Sequence, residues 1–547
     1  MIFSRVRRGP FFLAPCILFT FLAANAQENP VPARVAQAVN EQVRVALRGN
    51  THPLARAEND RGLAPDDLPL RRMLLLLKRS PEQQLSLAKL LDEQQDKSSA
   101  NYHHWLTPEE FGERFGPADE DIQAVTDWLG SQGLQVNKVA AGRTVIEFSG
   151  TAGEVRAALR TPMHRYSVQG KSYWANASDP QIPAALAPVV AGVVSLNNFP
   201  RQPLMHSLGA FARSKQTGQI EPLYTLPYYG TNYYILGPYD FAEVYNVLPL
   251  WDSGIDGSGV AIAVVAETNI NLADAADFRA MWGLPPNPPQ IILNGPDPGI
   301  VPGDESEAAT DVQWAGAVAK GATIDLVVSE STETSFGTDL SSLYIIDNNI
   351  ASIMSVSYGA CEQSLGTAGN AFYSSLYQQG AAEGITILVA SGDSGSDTCD
   401  FATGSDYATT GLSVNGLAST PFNVAVGGTD FNDASNPSTY WSSTNDSVTQ
   451  SSAKSYIPED TWNSSCARTG LRGCYTLAGN GLDLLAAGPA IAPRSMPRAL
   501  AFPGTPNRPG RPAPGFPATA CAICPTSQSL PPSAPSATAF ILIASRT

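Results

Sequence analysis

The chain reads as two successive bodies, a small α+β domain and then a larger α/β domain built on a parallel sheet with helices on both faces. Three observations predict this. A length of 547 residues exceeds what one ordinary core organises. Between residues 239 and 483, short apolar runs alternate with helical segments, as buried parallel strands do. The charge also changes regime along the chain. Residues 1–238 carry 24 Lys and Arg against 21 Asp and Glu, residues 239–483 carry 5 against 29, and residues 484–547 carry 5 Arg and no acid.

The first segment is a targeting signal. Arg5, Arg7 and Arg8 precede an apolar run from Phe11 to Ala24, and Ala24-Asn25-Ala26 supplies a small-x-small cleavage site. Residues 1–26 are expected to be removed on secretion, with no membrane span after that. Cys16 leaves with them.

Residues 27–200 form the first domain. Met73–Leu77 is an unbroken apolar run that suits a buried strand. Ser80-Pro81-Glu82 and Thr107-Pro108-Glu109 open helices, each with an N-cap hydroxyl and a proline at the first helical position. A third helix is predicted over 119–132. Paired strands follow near 134–139 and 143–149, then a helix near 153–159, in the order of a split βαβ, ferredoxin-like unit. Residues 201–238, rich in Pro, Gly and Tyr, read as an exposed linker that holds a processing site.

The second domain, 239–483, has predicted strands at 260–266, 290–293, 323–328, 352–356, 385–390 and 423–426. Helices are expected at 273–281, 307–320, 339–348 and 371–383. Active sites in such folds lie at the carboxyl ends of the strands. The tail, 484–547, has 13 prolines and no periodicity, and reads as a segment unrelated to what precedes it.

Composition excludes several functions. The net charge of −16 argues against nucleic acid as a partner. No histidine lies beyond His206, so a second domain that does catalysis lacks a Ser-His-Asp triad, a His-ligated zinc and a Cys-His dyad. Ser394 sits in a Gly-Asp-Ser-Gly sequence like that of the chymotrypsin nucleophile, but that fold is all-β and needs a histidine. Too few ligand-type residues cluster for a metal-dependent hydrolase. Of the cysteines, Cys466 and Cys474 enclose a short loop and can pair, and Cys361 and Cys399 follow predicted strands and form a second candidate pair. Cys521-x-x-Cys524 has no partner pair for zinc.

Three features carry chemistry. Glu307 and Asp311, at i and i+4 of a predicted helix, point the same way. Close carboxyls cannot easily ionise together, so one holds its proton well above the usual range. Asp393, in Ser391-Gly392-Asp393-Ser394-Gly395, directly follows a strand. Ser357-Tyr358-Gly359 follows another, and its backbone can pair with an extended peptide. A solvated helix face and two ordinary glycine turns are the bland alternatives.

These motifs resemble those of the sedolisin (serine-carboxyl peptidase, kumamolisin-like) family. The likeness extends to the first domain, where Tyr102-His-His-Trp-Leu-Thr-Pro108, Phe111-Gly-Glu-Arg-Phe-Gly116 and Tyr173-Trp-Ala-Asn-Ala-Ser-Asp179 are similar to the family's activation propeptide. The resemblance implies a subtilisin-like sheet and a secreted proenzyme that hydrolyses peptide bonds in acid. It implies that Glu307 is the general base, Asp311 the group that shares its proton, and Asp393 the protonated acid of the oxyanion hole. Ser357, Tyr358 and Gly359 would hold the substrate, and the first domain would act as an intramolecular inhibitor. An imidazole would be charged and useless as a base in acid, which suits the missing histidines.

The match then fails. The family's Gly-Thr-Ser-x-Ser nucleophile motif is absent from 394–547, and Gly428-Thr429-Asp430 and Gly504-Thr505-Pro506 do not replace it. The calcium site that the resemblance implies also lacks ligands, because no carboxylate follows Asp483. A reading-frame change near residue 485 would produce such a tail. The expectation is an incomplete sheet and an inactive chain, with a peptide-binding pseudo-peptidase as the alternative. The opposed charges of the two domains also predict that their attraction weakens as carboxylates protonate.

Overall fold

The computed structural model describes residues 31–199, 201–203, 223–224, 233–234, 236–393, 398–401, 407–408, 412–433, 435–461 and 483–484. The signal segment, most of the linker, Ser394 with its neighbours, Cys466, Cys474, Cys521, Cys524 and the tail lie outside the described residues, as does any test of their predicted roles.

The first domain is built on a four-stranded antiparallel sheet. Its strands are β1 (Pro69–Leu77), β2 (Gln135–Val139), β3 (Val145–Thr151) and, later in the chain, Val190–Val193. The spatial order is β2, β3, β1 and then Val190–Val193, so β1 and β2 run parallel with β3 between them. This is the split βαβ arrangement that the order of elements predicted. Between β1 and β2 the chain forms α1 (Pro81–Gln95), α2 (Pro108–Phe115) and α3 (Asp119–Ser131), and α4 (Ala152–Leu159) follows β3. Helices α1 and α2 start where predicted. Ser80 and Thr107 each form a reciprocal capping box, with Gln83 and Glu110, and each has proline at the start.

Strand β1 explains how the two domains meet. Its run of four leucines after Met73 is buried on both sides of the sheet. Met73, Leu75 and Leu77 pack with Val125, Trp128 and Leu129 of α3 and with α4. Leu74 and Leu76 face the other way, into a core shared with the second domain. An unbroken apolar strand is what a sheet covered on both faces requires. Leu75→Ala should therefore cost the first domain about 2–5 kcal/mol, as a fully buried leucine does. The denaturant midpoint of the full chain's first unfolding step checks this.

The second domain holds six parallel strands: β4 (Ala261–Ala266), β5 (Gln290–Leu293), β6 (Thr323–Val328), β7 (Ile353–Val356), β8 (Thr386–Ala390) and β9 (Val424–Val426). Their order is β5-β6-β4-β7-β8-β9, every pair parallel. All six strands fall within a residue of their predicted bounds. The connecting helices are α5 (Leu272–Met281), α6 (Glu305–Val318), α7 (Gly337–Asp347) and α8 (Glu362–Ala382). Helix α8 begins nine residues before its predicted start. Gly366, with φ of 64°, kinks it, and Gly366 and Gly369 masked the early turns in the sequence. The hairpin of Met163–Val168 with Lys171–Asn176 was also missed, because its alternation is weak.

From β4 the chain first builds outward to β5 and β6, then crosses to β7 on the opposite side. The topological switch point lies between β4 and β7, where α/β sheets bind ligands beyond the strands' carboxyl ends. No described helix is long and apolar enough to cross a membrane.

Candidate active site

Helix α6 carries Glu307 and Asp311 one turn apart, 2% and 3% exposed. The solvated-face alternative is thereby excluded. The helix is buried because Trp314, one turn further on, stands among Phe241 and Phe278, and Ala308, Ala309 and Val312 pack on the sheet. Asp311 Oδ1 accepts a 2.8 Å hydrogen bond from Ser357 Oγ, directly past the end of β7. Burial pushes the Asp311 carboxyl up to about 7, and the Ser357 bond opposes this only in part.

Sequence reasoning missed a second acidic pair beside the first. Glu267 follows β4 at the other side of the switch point, and Asp304 caps α6. Burial, and then the Asp304 charge, pushes Glu267 up to about 7, and Ser331 Oγ donates to it at 2.7 Å. Asp304 is raised by burial and hydrogen-bonded to Glu267, so these two carboxyls share a proton. The wholly buried Tyr358 ring lies in the field of Glu267, Asp304, Glu307 and Asp311, which together with burial holds its phenol protonated far above the ordinary range. A lone Glu after an apolar strand carries no local signal. Only the topological rule applied to the end of β4 would have singled it out.

Asp393 sits just past the end of β8, the neighbour of β7. Gly392 takes φ of 103°, a backbone state that glycine alone adopts without strain, and so turns the chain sharply out of the strand. Burial pushes the Asp393 carboxyl far above the usual carboxylate range, and its buried Oδ2 has no hydrogen-bond partner among the described residues. Asn415 connects this loop to the other half of the site. It is 1% exposed, donates to Ala390 O at 2.8 Å and to Tyr358 O at 3.3 Å, and accepts from Ala360 N. The Cys361–Cys399 disulfide, the second of the two candidate pairs, closes the same loop from outside. Asn415 and a covalent bridge thus tie the loops past β7 and β8, the first of which meets Asp311 through Ser357 and the second of which carries Asp393.

The backbone of Tyr358–Gly359 does pair with an extended segment, and the segment belongs to the chain itself. Gln202–Pro203 runs antiparallel to it, Gln202 opposite Gly359 and Pro203 opposite Tyr358. A cavity of about 130 Å³ adjoins this pairing, lined by Asp393, Gly392, Gly359 and Asn415 from the second domain, by Phe199 from the first and by Arg201 at the start of the linker. Among the described residues no group of three or more His, Cys, Asp or Glu is placed to hold a metal ion. The calcium that the resemblance implied was expected toward the C-terminal end, most of which lies outside the described residues, and no chemistry is assigned to it.

Residues 57–199 match the family model described as the Pro-kumamolisin activation domain. Sedolisin of a Pseudomonas species is 28% identical over 343 residues, covering 60% of this chain and 55% of its own length. Kumamolisin of a Bacillus species is 26% identical over 339 residues, covering 59% and 56%. A solved structure of Pseudomonas sedolisin, a serine-carboxyl proteinase complexed with pseudo-iodotyrostatin, aligns at 22% identity over 47% of this chain and 62% of that one, with a TM-score of 0.33. The chain spans about half the length of the curated relatives it matches. Residues 57–199 are thus similar to that activation domain, and the chain as a whole is similar to the sedolisins and kumamolisins.

Proposed function

We propose that this chain is the precursor form of a secreted serine-carboxyl endopeptidase acting in acid, and that the chain as given binds peptide without cutting it. The observation that carries the reading is the buried Glu307–Asp311 pair, joined through Ser357 to a strand edge already paired with an extended segment.

In this reading Glu307 takes the proton from a serine hydroxyl and Asp311 holds and shares that proton. An Asp311 raised to about 7 stays protonated in acid and can donate to Glu307, leaving Glu307 able to accept. Asp393, neutral because burial disfavours its charge, donates a hydrogen bond to the oxyanion of the tetrahedral intermediate. The peptide lies along Tyr358–Gly359. The first domain inhibits by docking Gln202–Pro203 on that edge, where a substrate would lie. Secretion rests on the Ala24-Asn25-Ala26 cleavage site.

The pseudo-peptidase reading applies to the sequence as it stands, because no Gly-Thr-Ser-x-Ser supplies the nucleophile. Translating the coding DNA past residue 484 in the other two frames decides between loss by frame change and a binding protein. We expect the motif in one of them. A chain carrying it should hydrolyse a quenched-fluorescent peptide near pH 4, and Glu307→Gln should lower kcat by roughly 10²–10⁴, the range for a general base. Full activity in Glu307→Gln would remove the assigned role.

A further inference from the structure

The segment that occupies the peptide edge also buries a cation. Arg201, one residue before the pairing begins, is 7% exposed and enters the second domain at the start of α7. Its Nη1 contacts the Asp339 carboxylate and donates to Tyr373 Oη at 2.6 Å and to Thr338 Oγ1 at 3.3 Å. Its guanidinium lies 4.4 Å from the Phe336 ring centroid and 5.5 Å from that of Tyr373. An acid at the base and aromatic walls make a receptor for a planar, delocalised cation rather than for an ammonium.

We propose that this pocket of Phe336, Thr338, Asp339 and Tyr373 is a specificity site that takes a guanidinium side chain of a bound peptide, one position before the residue that pairs with Gly359. The proposal rests on the reading of Tyr358–Gly359 as the peptide edge, and it names a feature of the peptide that the edge alone does not select.

Two further observations point to an exchangeable ligand. Asp339 is wholly buried, yet its Oδ2 has no hydrogen-bond partner among the described residues, and Arg201 approaches Oδ1 with one nitrogen only. The pocket therefore offers one acceptor more than Arg201 uses, and a side chain on a free peptide can engage both oxygens as a fork. Arg201 and Phe336 also line the cavity beside Asp393, so the mouth of the pocket adjoins the site. Once a linker leaves, Asp339 would remain buried without a counter-ion, which costs several kcal/mol and favours refilling by another cation.

The test uses the full chain with Arg201→Ala. Ethylguanidinium should raise its melting temperature and its refolded yield, ethylammonium should do so at least about tenfold less effectively by concentration, and neither should act on the parent chain. In Arg201→Ala/Asp339→Asn the response to ethylguanidinium should vanish. Because refolded yield is itself a readout, a variant that folds poorly still reports. Two peptides, acetyl-Arg-Gln-Pro-amide and acetyl-Leu-Gln-Pro-amide, are then titrated by NMR against the Arg201→Ala chain. Tighter binding of the arginine peptide by about tenfold, lost in Asp339→Asn, supports the pocket. Equal binding of both leaves the edge standing and overturns the pocket. If neither binds, the chain's own Gln202–Pro203 still holds the edge, and the ethylguanidinium arm alone decides the pocket. Equal rescue by ethylguanidinium and ethylammonium also overturns the proposal.

Discussion

Raising the pH from 4 to 8 is expected to destabilise the second domain by several kcal/mol. Asp311 and Glu267 are pushed up to about 7 and Glu383 to about 8, each chiefly by burial, and Asp393 rises for the same reason. In the unfolded chain these groups release their protons near pH 4. Between that value and the folded one, the folded state holds protons that the unfolded state has lost. Stability then falls as pH rises, by about 1.4 kcal/mol per unit for each such group. The stabilising condition is fully present below about pH 4 and is lost through about 7 to 8. Calorimetry across this range should show a melting temperature that declines steadily, and Asp311→Asn should flatten the slope. A melting temperature that climbs with pH would contradict the assignment. The dependence is opposite to that of most proteins, whose paired carboxylates make them fail in acid.

Removing the Asp347 carboxylate is expected to weaken docking of the first domain by roughly 10²-fold, about 2–5 kcal/mol for a buried charged partner. Asp347 ends α7, where an acid opposes the helix dipole, so the helix itself gains nothing from it. What it gains lies across the interface. It is 3% exposed and accepts from Gly142 N at 2.9 Å and from Lys138 Nζ at 3.0 Å, both on the β2–β3 hairpin. Gly142 approaches so closely that a Cβ there would stand 2.3 Å from Gln379 Oε1, and no side chain fits. Asp347→Ala strands the buried Gly142 amide. Hydrogen exchange of that amide and of β1 and β3 in the full chain should rise together, whereas Asp347→Asn, which keeps an acceptor, should retain part of the protection. Exchange unchanged in the alanine variant would mean that the docking energy lies in Leu74 and Leu76 alone.

These contacts refine what opposed charges predicted. The basic side chains of the first domain do meet acids of the second, Arg71 at Glu330 and Glu333 and Lys138 at Asp347. The Arg71 pairs are partly exposed and contribute little. An apolar part of the interface packs Leu74, Leu76 and Val145 with Tyr373, Leu376 and Tyr377. The interface is thus held by apolar packing as well as by ion pairs, and the opposed net charges are only part of it.

Much of the architecture was legible because it depends on local pattern. Parallel strands announce themselves as short apolar runs, and Ser80-Pro81 and Thr107-Pro108 mark helix starts by their own chemistry. The i, i+4 spacing of Glu307 and Asp311 was legible for the same reason. Glu267, Asn415 and the Arg201 pocket were not. Each acts across more than 30 residues of chain, on Asp304, Tyr358 and Asp339 respectively, and no local periodicity encodes such a partner.

The pairing of Gln202–Pro203 with Tyr358–Gly359 is two residues long. Such a contact between separate molecules would dissociate at once. It persists because both halves lie on one polypeptide, which holds them at a local concentration that short flexible connections put in the millimolar range. Severing the connection anywhere after residue 203 leaves the bound end attached to a docked domain. Severing it before residue 201 leaves the paired segment tied to the second domain alone and releases it from the first. The position of a single cut would thus decide which of the two bodies keeps the paired segment, and two cuts, one on each side, would be needed to set it free.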